Sequence, residues 1–418
     1  MDPSVALLIG AGILIIGFIA DMVHDKFGIP DILVLIFLGA LFGPILQILP
    51  REPLITLAPY FAALTLAIVL FEAGISFPSS RGLSEAPRAL LYAFFTISFS
   101  TLFTAIALMI ILNLSPLKAA LLGVTVGGTS SAVIIPLVSR MKVSNFARNM
   151  LTFESVLTDG LVIVVAMLLL RLIVLPGSAI TPEMISREII GALVISAIVG
   201  VAAAFLVAKL IPSIHGRVYG DILILGLLIF VYAASEQVGG SGALTAFILG
   251  IALRNITLLS SWGAALKGSH EPGVREAEAG SGSRPLSLGW YSKRFYAQLS
   301  FLMRTYFFAF LGMIFYAPNL TMCLIGFFLT ALLIFARAIS TTIICFRTDA
   351  SEIDRFSMSF LCARGLSAAV LASILTTYNL SLSGIAEQLI TQVIIYTSVI
   401  SAAAAYVTGS TRFRRIFS

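Results

Sequence analysis

The chain has 418 residues, 59% of them apolar and only 11% charged, against roughly a quarter charged in a soluble domain. Too few charges are present to coat a water-soluble core of this size, so the surface must face lipid. A net charge of +6 would point to nucleic acid in a soluble protein, but here the placement of the basic residues matters more than their sum, and no nucleic acid or nucleotide is expected as a partner.

Apolar runs of about twenty residues predict an all-α polytopic membrane protein with thirteen spans. They fall at 4–20, 30–49, 57–77, 87–112, 118–139, 149–175, 185–212, 219–237, 240–258, 294–316, 320–346, 355–378 and 384–408. The first run lacks a basic n-region and a small-residue cleavage site, and is read as a retained span. Residues 1–418 are read as a single transmembrane domain. Its two polar appendages are a mobile cytoplasmic loop at 260–293, rich in Gly, Ser, Pro and charge, and a short basic cytoplasmic tail at 409–418. The three cysteines show no metal spacing and read as small core residues.

Span 3 carries Glu72 within LTLAIVLFEAGISF. Span 5 contains GVTVGGTSSAVIIP, with Gly127, Gly128, Thr129, Ser130, Ser131 and Pro136 inside one membrane segment. Span 6 contains FESVLTDG. On a helix Ser155 and Asp159 share one face, and Glu154 and Thr158 share another about 100° away. The first face offers a carboxylate and a hydroxyl to a hard cation, which prefers oxygen ligands. The second carries an acid in need of a counter-charge. Arg337, alone in span 11, is expected to bind Glu154 through two hydrogen bonds. Span 12 contains CARGLSAAVLAS, with Arg364, Gly365 and Ser367. Asp221, Glu236, Arg254 and Arg304 are assigned to span ends, where snorkelling accounts for them.

Thirteen spans divide into one extra helix and two inverted halves of six, with spans 5 and 12 in corresponding places. Interrupted helices at matching positions are the sequence mark of a transporter's substrate site. Lys and Arg fall 18 to 3 between the two sides, and the remaining five lie in or beside spans. The N-terminus is therefore expected outside and the C-terminus in the cytoplasm.

Charges inside a membrane cost roughly 2.5–3.5 kcal/mol each on insertion scales. A carboxylate in low dielectric disfavours its bare anion, so Asp159 is expected to hold a proton or a cation in turn. That is exchange without nucleotide, and no cofactor is expected. The plain structural alternative is a buried polar knot of Glu154, Asp159 and Arg337 that only fixes helix packing.

With these residues the chain resembles the monovalent cation/proton antiporters of the NhaP and NHE branch. The resemblance rests on LFEAG, GTSSAVIIP, ESVLTDG, the lone Arg337 and ARGLSAAVLA, and covers nearly the whole chain. It implies the inverted-repeat antiporter fold, with spans 5 and 12 unwound and crossing. It also implies a homodimer in which a six-helix core moves against a dimerisation domain. Asp159 would be the main cation and proton ligand, with Ser155, Glu154 and Thr129 around it holding sodium. Arg337, Thr158, Ser130, Glu72 and Arg364 would support them. Thr158 and Arg337 stand where the electrogenic branch has a second Asp and a Lys, which favours electroneutral exchange. Two positions depart from the family pattern, Thr158 for the usual Asn and Ser130 for the usual Asp, and both bear on which ion is taken.

The expected function is therefore sodium/proton antiport, not an enzyme activity. A KefC-like potassium/proton antiporter is the main alternative, since Thr129-Ser130-Ser131 fits that pattern as well. A passive channel is disfavoured because no filter repeat or ring of acids is visible. An ATP-driven pump is excluded by the missing GxxxxGK[ST]. An intramembrane serine protease built on Gly239-Gly240-Ser241-Gly242 lacks a histidine in any predicted span to act as base.

Overall fold

The computed structural model describes residues 3–27, 31–48, 51–76, 85–174, 182–214, 219–254, 290–314, 320–377 and 383–409. Most of the expected 260–293 loop, the tail beyond residue 409, and His215 lie outside the described residues. Every regular element among those described is helical. In chain order they are α1 (Pro3–Phe27), α2 (Asp31–Ala40), α3 (Arg51–Ser76), α4 (Ala86–Leu112), α5 (Pro116–Thr125), α6 (Ser131–Arg140), α7 (Asn145–Val174) and α8 (Pro182–Ile214). There follow α9 (Gly220–Gln237), α10 (Gly242–Arg254), α11 (Trp290–Met313), α12 (Leu320–Ile344), α13 (Glu352–Phe360), α14 (Leu366–Thr377) and α15 (Ser383–Gly409). A π-helical turn, Leu41–Ile45, extends α2 and contains Pro44, whose missing N–H breaks the regular ladder.

Each expected apolar run falls on a helix, and spans 5 and 12 each fall on two. Six helical segments among the described residues are long and apolar enough to cross a membrane: Pro87–Leu112, Asn145–Val174, Ile190–Leu210, Gly220–Gln237, Leu320–Ile344 and Gly384–Thr408. Large apolar side chains stand exposed on them, Ile110 at 72% and Phe230 at 69% among them, as expected of surfaces solvated by lipid. Two expectations change. Helix α11 begins at Trp290, so the last four residues of the expected loop are helical. Arg304 sits well inside α11 and pairs with Asp31 at 3.3 Å. It is neutralised by a partner instead of snorkelling to a span end.

The chain divides into two compact units. In the smaller, made of Ala67–Ser79 and Ile190–Ser300, α9 and α10 are joined by the VGGSGAL turn, with Gly239 at φ +84°. Ser241 starts α10 there: its N–H donates to Ser196 Oγ at 2.7 Å, and its own Oγ accepts from the Leu244 N–H. Glu236 accepts the Gly242 N–H at 2.7 Å. Ser241 is thus a helix cap. Glu72 belongs to this unit, half-buried, and accepts a bond from Ser76 Oγ at 2.9 Å.

The larger unit, Met1–Leu66, Ser80–Ile189 and Phe301–Ser418, holds both interrupted spans. Helix α4 packs on α5, α7 and α12, and α12 packs on α13 and α15. At one end Ser351 and Asp354 form a capping box at the start of α13, which satisfies the open N–H groups of that short helix. The other Asp354 oxygen accepts the Ser144 N–H at 2.9 Å, so the start of α13 is tied to the turn that follows α6.

A candidate cation and proton site at two broken helices

Val126–Ser130 separates α5 from α6, and Leu361–Gly365 separates α13 from α14. The two unwound stretches touch. Ser130 N–H donates to the Ala363 carbonyl at 2.9 Å, and Arg364 Nη1 donates to the Gly127 carbonyl at 3.0 Å. Glycine permits this approach. A Cβ at Gly365 would lie 2.6 Å from Ser130 Oγ, and one at Gly128 would lie 2.7 Å from Val162 Cγ2. Either is closer than real carbon atoms come, so these glycines are set by packing.

Helix α7 runs beside the breaks, and its Glu154, Ser155, Thr158 and Asp159 are fully buried. The Asp159 carboxylate is held from both broken spans. Oδ2 accepts the backbone N–H of Ser131 at 2.8 Å and also its hydroxyl. Oδ1 accepts the Ser367 hydroxyl at 2.7 Å. Ser131 is the first residue of α6 and Ser367 the second of α14. The positive ends of two half-helices therefore converge on one anion. A carboxylate has about four lone-pair positions, and three are occupied, leaving one for a proton or metal ion. The serine hydroxyls can rotate to turn their oxygens toward a cation.

Glu154 is engaged differently. Arg337 Nη1 and Nη2 reach its two oxygens at 3.0 and 2.9 Å, the fork expected from the sequence, and Arg337 Nε donates to the Met358 carbonyl at 2.7 Å. Tyr92 completes the setting. Its ring faces the guanidinium at 5.3 Å, a favourable cation–π placement, and its hydroxyl donates to the same Met358 carbonyl. Thr129 Oγ1 lies 2.9 Å from both Glu154 oxygens, and its N–H meets Thr158 Oγ1 at 3.1 Å. Thr158 also donates to the Thr129 and Ser155 carbonyls, so a hydroxyl does here the bridging between α7 and the break that an amide would do.

The structure thus brings together Asp159, Glu154, Thr129, Thr158, Ser130, Arg337 and Arg364, with two changes of partners. Ser155 lies one turn from Asp159, but its hydroxyl bonds back to the Thr152 carbonyl at 3.0 Å, as helical serines commonly do. Ser131 and Ser367 hold the carboxylate in its place, and Thr129 turns its hydroxyl to Glu154. Both serines stand just after a glycine-containing break, which is the signal that marks them: such residues begin a new helix with free N–H groups. Tyr92 carries no comparable mark in its apolar run.

The family model described as sodium/hydrogen exchanger, transmembrane, matches residues 11–411. A K(+)/H(+) antiporter NhaP2 from Shewanella oneidensis is 24% identical over 253 residues, 59% of this chain and 43% of that protein. A Na(+)/H(+) antiporter 1 from Methanocaldococcus jannaschii is 27% identical over 252 residues, 57% of this chain and 58% of that one. The chain therefore spans about half the length of the curated relatives it matches. The sodium proton antiporter MjNhaP1 of the same archaeon, solved at pH 8, superposes with a TM-score of 0.75, covering 98% of this chain and 99% of that one at 22% identity. That likeness establishes the antiporter fold. With the family match across nearly its whole length, this multi-pass membrane chain belongs to the sodium/hydrogen exchanger family.

Proposed function

We propose that the protein is a secondary active sodium/proton antiporter that exchanges one Na+ for one H+ with no net movement of charge. The observation that carries this reading is the division of labour between two buried acids. Glu154 is committed to Arg337, while Asp159 meets only hydroxyl and N–H donors. Four fully buried charged groups lie in this region: Glu154, Asp159, Arg337 and Arg364. Their formal charges cancel when Asp159 is bare, so loading by Na+ or by H+ leaves the same net +1.

The bare Asp159 anion is costly in low dielectric. It is neutralised by a proton on one side of the membrane and by a cation on the other, and each displaces the other from the same oxygens. The loaded site changes sides and the empty one does not, which couples the two fluxes without nucleotide or cofactor. In this reading the Asp159 carboxylate is the centre of the Na+ site, and the Ser131 and Ser367 hydroxyls that now donate to it rotate to offer their oxygens to the cation. The basic-residue bias supports an N-terminus outside and a C-terminus in the cytoplasm, and family membership supports a homodimer.

Potassium in place of sodium is a second reading, favoured by the similarity to a protein described as a K(+)/H(+) antiporter and by the hydroxyls at positions 129, 130, 131 and 158. Uptake into proteoliposomes under an imposed pH gradient, with Na+ and K+ in parallel, decides between them. Sodium uptake without current supports the first reading. Selective potassium uptake replaces it with the second, and no proton-coupled uptake of either ion contradicts both.

A further inference from the structure

Several buried hydroxyls among the described residues bond back to the carbonyl four residues earlier, as Thr125, Thr330 and Ser340 do. Helix α4 behaves differently. The hydroxyls of Thr96, Ser100, Thr101 and Thr104 are shut off from solvent and have no hydrogen-bond partner among the described residues. Thr96, Ser100 and Thr104 repeat every four residues and so share one face, continuing the line of Tyr92. Buried polar groups without partners are rare, and a run of four on one helix calls for a ligand.

A second, independent group points the same way. Arg364 is fully buried, yet of its guanidinium donors only Nη1 is engaged, on the Gly127 carbonyl, while Nε and Nη2 have no partner. Those two nitrogens present parallel N–H bonds on one edge, the fork that receives two acceptor oxygens. Gly127 lies between Arg364 and Thr101. It carries Arg364 on its carbonyl, and a Cβ built on it would lie 3.3 Å from Thr101 Oγ1.

We propose that ordered water joins the free edge of Arg364 to the Thr101 hydroxyl, forming a buried hydrated site behind the unwound stretch of span 5. Water fits this chemistry better than an anion alone. Hydroxyls both donate and accept, so water that accepts from the guanidinium edge can donate to Thr101 Oγ1. Arg364 is thereby solvated internally and stays charged, and its remaining bond holds Gly127 and the backbone leading to Thr129 in place.

The test is a crystal structure of the full-length wild-type protein at a resolution that reveals ordered solvent, with bromide replacing chloride in the crystals. Solvent peaks within hydrogen-bond reach of Arg364 Nε and Nη2 and of Thr101 Oγ1, without anomalous signal, are the expected result. A bromide peak on that edge, a protein carboxylate there, or resolved side chains with no solvent between them overturns the proposal. A second measurement uses Thr101→Val, which keeps the shape and removes only the hydroxyl. A fall in turnover of about threefold or more with restoration in Thr101→Ser supports the site, and a Thr101→Val rate equal to wild type contradicts it. The solvent density stands or falls independently of which ions are exchanged.

Discussion

Arg337 and Glu154 meet through two parallel hydrogen bonds of 3.0 and 2.9 Å across 183 residues of sequence, both side chains fully buried. A buried pair is costly to assemble and more costly to break, because removing one partner strands the other charge. Glu154→Gln or Arg337→Met alone is expected to destabilise the protein by about 3–5 kcal/mol. The double substitution should destabilise it by clearly less than the sum. Denaturant unfolding of the four purified proteins measures the coupling, and strict additivity would show that the pair contributes nothing as a pair.

The two serines on Asp159 should not be equal. Ser131→Ala leaves the backbone N–H on Oδ2, whereas Ser367→Ala strips Oδ1 of its hydroxyl donor. Hydrogen bonds to a charged group contribute about 1.5–3 kcal/mol, so Ser367→Ala is predicted to weaken half-saturation by the cation about tenfold or more at fixed pH. Cation titrations of transport at several pH values check the ranking, and an effect of Ser131→Ala larger than that of Ser367→Ala contradicts it.

Competition fixes the sign of the wild-type pH dependence. A proton and a cation that share one carboxylate exclude each other, so half-saturating cation concentration should rise as pH falls, by about tenfold per pH unit once protons dominate. Initial rates in proteoliposomes across neutral and mildly acidic pH measure this. A half-saturation value that stays flat would separate the proton site from the cation site.

Gly365 tests whether the two breaks must touch. Alanine there places a carbon 2.6 Å from Ser130 Oγ and has to push the unwound stretches apart, so Gly365→Ala should lower transport at least about tenfold while the protein still folds. A thermal melt and a transport assay on the same preparation separate the two effects. Normal transport would mean that the contact is dispensable.

Much of this arrangement was legible in the sequence, for physical reasons. Apolar runs near twenty residues have one structural solution in lipid, so the helices followed from hydropathy. The breaks followed from small and polar residues inside two such runs, with Gly127 and Gly128 in one and Gly365 beside Arg364 in the other, and the Arg337–Glu154 pair followed because each was a buried charge in need of the other. Partners set by side-chain rotation were not legible. The four-residue spacing put Ser155 near Asp159, but a hydroxyl beside its own helix has a carbonyl closer at hand. The donors that do hold Asp159 come from residues 28 and 208 positions away, and their approach depends on how α6 and α14 are aimed. Arg304 was misplaced for a similar reason: its position in α11 and its partner Asp31 emerge only once the helices are packed.

The central claim is that a single carboxylate, Asp159, takes the proton and the cation in turn. The direct measurement is sodium uptake into proteoliposomes driven by a pH gradient, comparing wild type with Asp159→Asn. The substitution keeps the size, and its amide can accept from Ser131 and donate to Ser367 Oγ, but it can neither release a proton nor neutralise a cation. Loss of proton-coupled uptake to the level of empty liposomes, in a protein that purifies and melts like wild type, is the predicted result. Proton-coupled sodium uptake that survives Asp159→Asn would place the exchange site elsewhere in the molecule.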